Sequence, residues 1–176
     1  MADNFIGNYA PDDFTVVISK GDFTHTITGY ADGTFISMNR IVPSSTPYTG
    51  VGSNSSGRVK RKVTSMTVDI VLHQYSPSNS VLQQLQIADA NTTDNQWVFN
   101  AMLKDPSGMT VASTNSAIIA APPAVDFGSD TSTRTWQIYF FGSDLFIGGN
   151  IPLSDSEVAA VEAAGGEVAD RWKLNP

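Results

Sequence analysis

The chain contains no cysteine, and Lys, Arg, Asp and Glu together make up only 15% of its 176 residues. The first absence removes disulfides and thiolate chemistry, and with them any reading of the redox compartment. The second departs from the roughly 25% of an average soluble domain and leaves Ser, Thr, Asn and Gln to cover the surface. Uncharged polar groups are less costly to desolvate than ions, so such a surface suits wide contact with other protein. A Thr/Ser-rich cell-surface β domain is the plainer reading of the same composition. Positive charge is scarce too: 10 Lys and Arg stand against 17 Asp and Glu, a net charge of −7. That balance repels a phosphate backbone and speaks against tight nucleic-acid binding. Long apolar runs are missing: the longest mild candidate, Ala117 to Val125, is broken by Pro122-Pro123 and falls well short of the ~20 residues of a membrane span. Met1-Ala2-Asp3-Asn4 offers no basic stretch leading into an apolar core, so the expectation is a soluble chain made in the cytoplasm without export.

What is present is period-2 alternation. Between Thr64 and Leu72, Met66, Val68, Ile70 and Leu72 fall on one side while Ser65, Thr67, Asp69 and Val71 fall on the other. This is the pattern of a half-buried strand, and the basic run Arg58-Val59-Lys60-Arg61-Lys62 is expected to extend it into an arm. Phe14, Val16 and Ile18 share a face, and Lys20-Gly21-Asp22 turns the chain into Phe23, His25 and Ile27, a hairpin. Further strands are expected at Thr34 to Ile41, Gln96 to Lys104, Thr110 to Ile119 and Thr133 to Phe141, with Asp105-Pro106-Ser107-Gly108 as a type I turn. Ser80, with Gln83 three residues on, is expected to open one short helix carrying Val81, Leu82 and Leu85. Ser154-Asp155-Ser156-Glu157 is a capping box opening a second helix at about 155–164, stopped by Gly165-Gly166. The expectation is a single mainly β domain over 1–176. It would be an antiparallel β-sandwich or small barrel flanked by one or two short α-helices. From Val42 to Gly57 the chain is Pro-, Ser- and Gly-rich, and a stretch of that kind projects from the body as a functional or disordered loop, here over about 43–62.

Catalytic chemistry finds no foothold. His25 and His73 belong to no His-x-x-x-His or His-x-His pair, and no Gly-x-Ser-x-Gly elbow places a serine on a strained turn. Asp155 and Glu157 are accounted for by helix capping, which leaves only scattered acids for paired-carboxylate chemistry. Gly50 to Gly57 has the glycines of a phosphate cradle but not its Gly-Lys-Ser/Thr ending or a following helix. Asn54-Ser55-Ser56 and Asn91-Thr92-Thr93 are sequon matches expected by chance in so Ser/Thr-rich a chain. Arg58, Lys60, Arg61 and Lys62 lack the interleaved aromatics of a single-strand-binding platform. Their expected partner is an acidic surface on a second copy, since Asp126, Asp130, Asp144, Asp155, Glu157, Glu162, Glu167 and Asp170 crowd the C-terminal third. No catalytic residue, metal ligand or cofactor is assigned.

The order of these features resembles the tail tube proteins of contractile-tailed bacteriophages. The similarity covers roughly residues 14–125. It runs through Val16-Val17-Ile18, Ile27-Thr28-Gly29-Tyr30-Ala31-Asp32-Gly33-Thr34-Phe35-Ile36, the Gly-rich loop with Gly57-Arg58, and the strand Met66 to Leu72. Ser76-Pro77-Ser78-Asn79-Ser80-Val81-Leu82, a Ser-x-x-Asn-x-x-Leu element, and the Asp105-Pro106-Ser107-Gly108 turn follow in order. The C-terminal helix and Arg171-Trp172-Lys173 have no counterpart in the resemblance. What it implies is a structural virion protein, assembled in the host cytoplasm. Six copies would form a ring whose joined sheets line a channel for DNA, and rings would stack into the tube. An extended loop between early strands reaches the adjacent ring in that family. Carried onto this chain, the contact residues are Pro43, Tyr48, Gly50, Arg58, Lys60, Arg61 and Lys62. Ser65, Thr67 and Asp69, on the polar side of the strand, become the channel-facing candidates. The implied partners are copies of the chain itself, together with tail sheath, baseplate and tail terminator proteins, and no membrane. Two other readings compete. One is the tube of a related contractile injection system. The other is a carbohydrate-binding β-sandwich, with Trp97, Trp136 and Tyr139 as a sugar-stacking platform.

Overall fold

A computed structural model describes residues 6–52 and 55–174. Met1 to Asn4, and Ser53 and Asn54 of the Gly-rich segment with its sequon, lie outside the described residues. The protein is mainly β and antiparallel, with two α-helices, as the alternation predicts. In chain order the strands are β1 (Thr15–Lys20), β2 (Phe23–Thr26), β3 (Ile36–Arg40), β4 (Ser45–Thr49), β5 (Ser56–Lys60) and β6 (Met66–His73). Then come helix α1 (Ser78–Ala90), β7 (Phe99–Lys104), β8 (Val111–Ile119), β9 (Thr133–Phe140), β10 (Asp144–Phe146) and helix α2 (Asp155–Ala163). One sheet runs in the order β2-β1-β7-β8-β9-β6-β3, with β10 beside β8, while β4 and β5 pair only with each other.

The chain divides into two compact units. The larger holds Val16–Met102 and Ser113–Asp144, and its centre is β6. Met66, Val68, Ile70 and Leu72 are all fully buried, while Thr67, Asp69, Val71 and His73 are partly exposed on the opposite face. Because side chains alternate at period 2, the antiparallel partner follows the same phase: Met66, Val68 and Ile70 stand opposite Phe140, Ile138 and Trp136, which are buried with them. The Trp136 indole donates to Asn79 Oδ1 at 2.9 Å, which satisfies its one polar atom inside the core. The β1–β2 hairpin pairs Lys20 with Phe23, leaving Gly21-Asp22 as a two-residue turn with Gly21 at φ 54°.

Helix α1 begins at Ser78, two residues before the expected Ser80, because Ser78 has a tertiary role. Its buried hydroxyl oxygen accepts the Thr28 N–H at 3.0 Å, and the neighbouring Ser76 hydroxyl donates to the Thr28 carbonyl at 2.6 Å. A Cβ on Gly29, which sits at φ 75°, would meet Ser76 Cβ at 2.7 Å, so this junction admits only glycine. The strand expected from Gln96 begins at Phe99, and Trp97 precedes it with the Lys20 ammonium 5.2 Å from its ring centroid. In β8 the buried phase shifts from Ala112 and Thr114 to Ala117 and Ile119, which alternation alone does not anticipate.

The smaller unit comprises the segment ending at Thr15, Leu103–Ala112, and the chain from Leu145 on. The expected turn at 105–108 is present, with the Gly108 N–H donating to the Asp105 carbonyl at 3.3 Å. Asp105 is buried, and its carboxylate accepts from the Ser107 N–H at 3.0 Å, the Ser107 hydroxyl at 2.6 Å and Asn150 Nδ2 at 3.4 Å. Helix α2 opens on the capping box: the Glu157 carboxylate accepts from the Ser154 N–H at 2.8 Å and hydroxyl at 2.6 Å. Leu153 and Trp172 tie the end of the unit together through a 2.7 Å backbone bond.

Candidate functional site

The Pro-, Ser- and Gly-rich stretch is not an irregular loop throughout. Ser45 to Thr49 and Ser56 to Lys60 pair in antiparallel register, with Pro47 opposite Arg58 and Tyr48 opposite Gly57. Pro47 is tolerated because β4 has only one partner, so its missing N–H interrupts no second ladder. The ladder is closed at the tip by Gly50 N–H to the Ser55 carbonyl at 2.8 Å, and at the base by Arg61 N–H to the Ser44 carbonyl at 2.9 Å. The basic run therefore does not extend β6 into a long arm: β5 ends at Lys60 and residues 61–65 separate it from Met66. Pairing with β4 captures that run instead.

The ribbon is bare. Every residue of β5 is exposed, Tyr48 is 56% exposed and Val51, at the tip, is fully exposed. Among the described residues no carboxylate lies within ion-pairing distance of Arg58, Lys60, Arg61 or Lys62; the ion pair found among those residues is Lys173 to Asp170, near the C-terminus, at 3.0 Å. An isolated two-stranded hairpin is marginal in water, so an extended ribbon without a packed face gains most by laying its surface on something else. Pro43, Tyr48 and Gly50 belong to the same ribbon and its approach, so the structure brings all seven expected contact residues into one exposed feature.

The second surface is the outward face of the main sheet. Asp69 stands between Ser37 on β3 and Gln137 on β9, and Thr67 between Asn39 and Tyr139. Gln137 Nε2 donates to Asp69 Oδ1 at 2.8 Å, and the Tyr139 hydroxyl donates to Gln137 Oε1 at 2.8 Å. The first bond crosses from β9 to β6 and the second runs along β9, and together they make a continuous polar face in which Asp69 is the one charged side chain of the three strands' central rows. Ser65 lies just before β6, half-buried.

Among curated proteins, the "Structural protein ORF10" of Pseudomonas phage KPP10 is 30% identical over 166 residues, a match that spans 93% of this chain and 95% of that protein. This chain belongs to that family of phage structural proteins. No family model matches it. Among solved structures, a chain of the anti-feeding prophage cap, the tube-terminating cap, aligns over 82% of this chain and 96% of its own at a TM-score of 0.47 and 11% identity, a likeness too weak to transfer a role.

In this phage structural protein the residues that suggest other chemistry are used for structure. The His25 imidazole Nε2 stands 2.9 Å from Ser78 Oγ, the spacing of a nucleophile and its base, but Ser78 is fully buried and already accepts the Thr28 N–H. No substrate reaches such a hydroxyl. His73 stacks on Tyr75 with ring centroids 4.9 Å apart. Trp136 is in the core, Tyr139 is on the other face of β9 and Trp97 precedes β7, so the three form no stacking platform. The Tyr30 hydroxyl is buried, and that burial pushes its pKa up to about 12, keeping it protonated. Sequence patterning missed the ribbon's pairing; the strand-favouring Thr46, Tyr48 and Thr49 around Pro47 were the signal available.

Proposed function

We propose that this phage structural protein is a subunit of the tail tube, assembling with copies of itself into rings, on the resemblance hexameric, that stack around a channel for DNA. The observation that carries the reading is the β4–β5 ribbon: an exposed, paired, unneutralised basic element that no other described part of the chain covers. It supplies the extended contact between stacked rings, through Tyr48, Arg58, Lys60, Arg61 and Lys62. Ser65, Thr67 and Asp69 are assigned to the channel wall. A wall of uncharged polar groups with a sparse acidic element does not hold DNA, whose backbone carries one negative charge per ~1.7 Å of axis. Sheath, baseplate and terminator proteins of the virion are the further partners. The role is structural and needs no cofactor. Kinship with a phage protein favours DNA over protein as the cargo, and so a phage tail over a related injection system.

The test is direct. Purified full-length chain, concentrated and imaged by negative-stain electron microscopy, should show rings or tubes, and its sedimentation coefficient should rise with concentration. A monodisperse monomer at every concentration, binding a glycan array, would establish the carbohydrate-binding alternative instead.

A further inference from the structure

The base of the ribbon is hollowed. Val42, Pro43 and Val63 wall a depression of about 460 Å3, and Arg40, Arg61 and Lys62 stand around it. Arg40 is committed within the chain: its guanidinium donates to the Thr64 carbonyl and to Ser143, at 3.0 Å to the hydroxyl and 3.3 Å to the carbonyl. Arg61 and Lys62 are exposed and have no ion-pair partner among the described residues. Apolar walls beside two free cations fit one kind of occupant, a segment in which a large apolar side chain is flanked by carboxylates.

The chain carries such a segment, and does not use it on itself. The connection 120–132 between β8 and β9 is long and has no strand or helix of its own, a kind of loop that is usually functional. Within it Phe127 is 85% exposed and Val125 53% exposed, a cost in water that a monomer has no reason to bear. Asp126 and Asp130 flank Phe127, and neither is ion-paired among the described residues. The Asp126 carbonyl accepts from the Ser132 hydroxyl at 2.9 Å, and the Arg134 guanidinium lies 5.5 Å from the Phe127 ring centroid, so the loop is shaped by its own neighbours. None of its residues lines the hollow.

We propose that the Phe127 loop of one copy seats in the ribbon-base hollow of the next. Phe127 packs on Val42, Pro43 and Val63, while Asp126 and Asp130 face Arg61 and Lys62. This rests on the self-assembly reading above and names the surfaces that meet. Because donor loop and acceptor hollow are different parts of one chain, the contact is head-to-tail. Each copy gives one and receives one, so the contact propagates until rotation closes a ring or continues as a stack.

The absence of cysteine makes the test clean. Ser44→Cys places a thiol beside the hollow, and Ser129→Cys places one on the loop with Phe127 left intact. The two single variants, mixed and treated with a short bismaleimide, should give a covalent heterodimer that neither gives alone. A chain carrying both should give a ladder. Charge reversal provides the second arm. Arg61→Glu with Lys62→Glu should raise the concentration needed for assembly about tenfold or more, as should Asp126→Lys with Asp130→Lys. All four substitutions in one chain should recover assembly, which a misfolded variant cannot do. Rings or tubes formed by the mixed cysteine variants without the 44–129 link, or a quadruple variant that stays dispersed while folded, would overturn this contact and leave the tube reading standing. A wild-type chain that never oligomerises overturns both.

Discussion

Strands β6 and β5 lie in one stretch of chain and could hardly differ more. β6 alternates strictly between full burial and partial exposure, and pairs on both sides, with β3 and β9. β5 has every residue exposed and pairs only with β4. The contrast separates two uses of the same backbone geometry. In β6 the ladder takes both edges and the core takes one face, so its buried side chains hold the fold. In β5 the ladder is made but nothing is buried, so its side chains contribute little to folding and remain available for assembly. Low overall charge sharpens the point, because four of the chain's 10 Lys and Arg residues are spent on or beside this one ribbon.

The contrast breaks most readily at Ile70. It is fully buried, and Ile70→Ala should lower unfolding free energy by about 2–5 kcal/mol in chemical denaturation, through lost transfer energy and the cavity left behind. Deleting residues 46–55 should have the opposite signature. Melting temperature should move by less than about 3 °C, while ring and tube formation is lost. Long tubes from the deleted chain would remove the ribbon from the assembly. A finer cut is Arg58→Glu with Arg61→Glu, which should leave the melt unchanged but weaken assembly and invert its salt response, read by sedimentation across a salt series.

Smaller effects probe the polar atoms. Glu157 is held below its ordinary carboxylate pKa of 4.5, chiefly by the hydrogen bond from the Ser154 hydroxyl. A depressed pKa means the cap is present in full above 4.5 and is lost as pH falls through the lower folded value. Glu157→Gln should therefore reduce the melting temperature slightly at pH 7, and the difference should close under acid. Smallest is Tyr30→Phe. The hydroxyl is buried and its one approach to a partner, the Val16 backbone, falls short of good hydrogen-bond geometry, so its removal should be close to neutral. A loss above about 1 kcal/mol would reveal a bond to that oxygen.

Local chemistry was legible wherever one residue's partner lies a few positions away. Met66, Val68, Ile70 and Leu72 announce a buried face because alternation is intrinsic to a strand with one side in a core. The Lys20–Phe23 turn, the 105–108 turn and the Ser154–Glu157 cap follow from backbone rules that act over two or three residues. Ser80 misled because Ser78 is fixed by Thr28, fifty positions away, and no window around the helix contains that bond. Pro47, Gly50 and Gly57 hid the β4–β5 ladder for a similar reason. Strand formation there depends on pairing with a partner and not on propensity, which composition alone reports as loop. The sheet order β2-β1-β7-β8-β9-β6-β3 and the closeness of Arg40, Arg61 and Lys62 to one hollow belong wholly to the tertiary structure. Each depends on contacts between residues far apart in the chain, whose partners are chosen by the free energy of the whole packed core, and no local pattern carries that information.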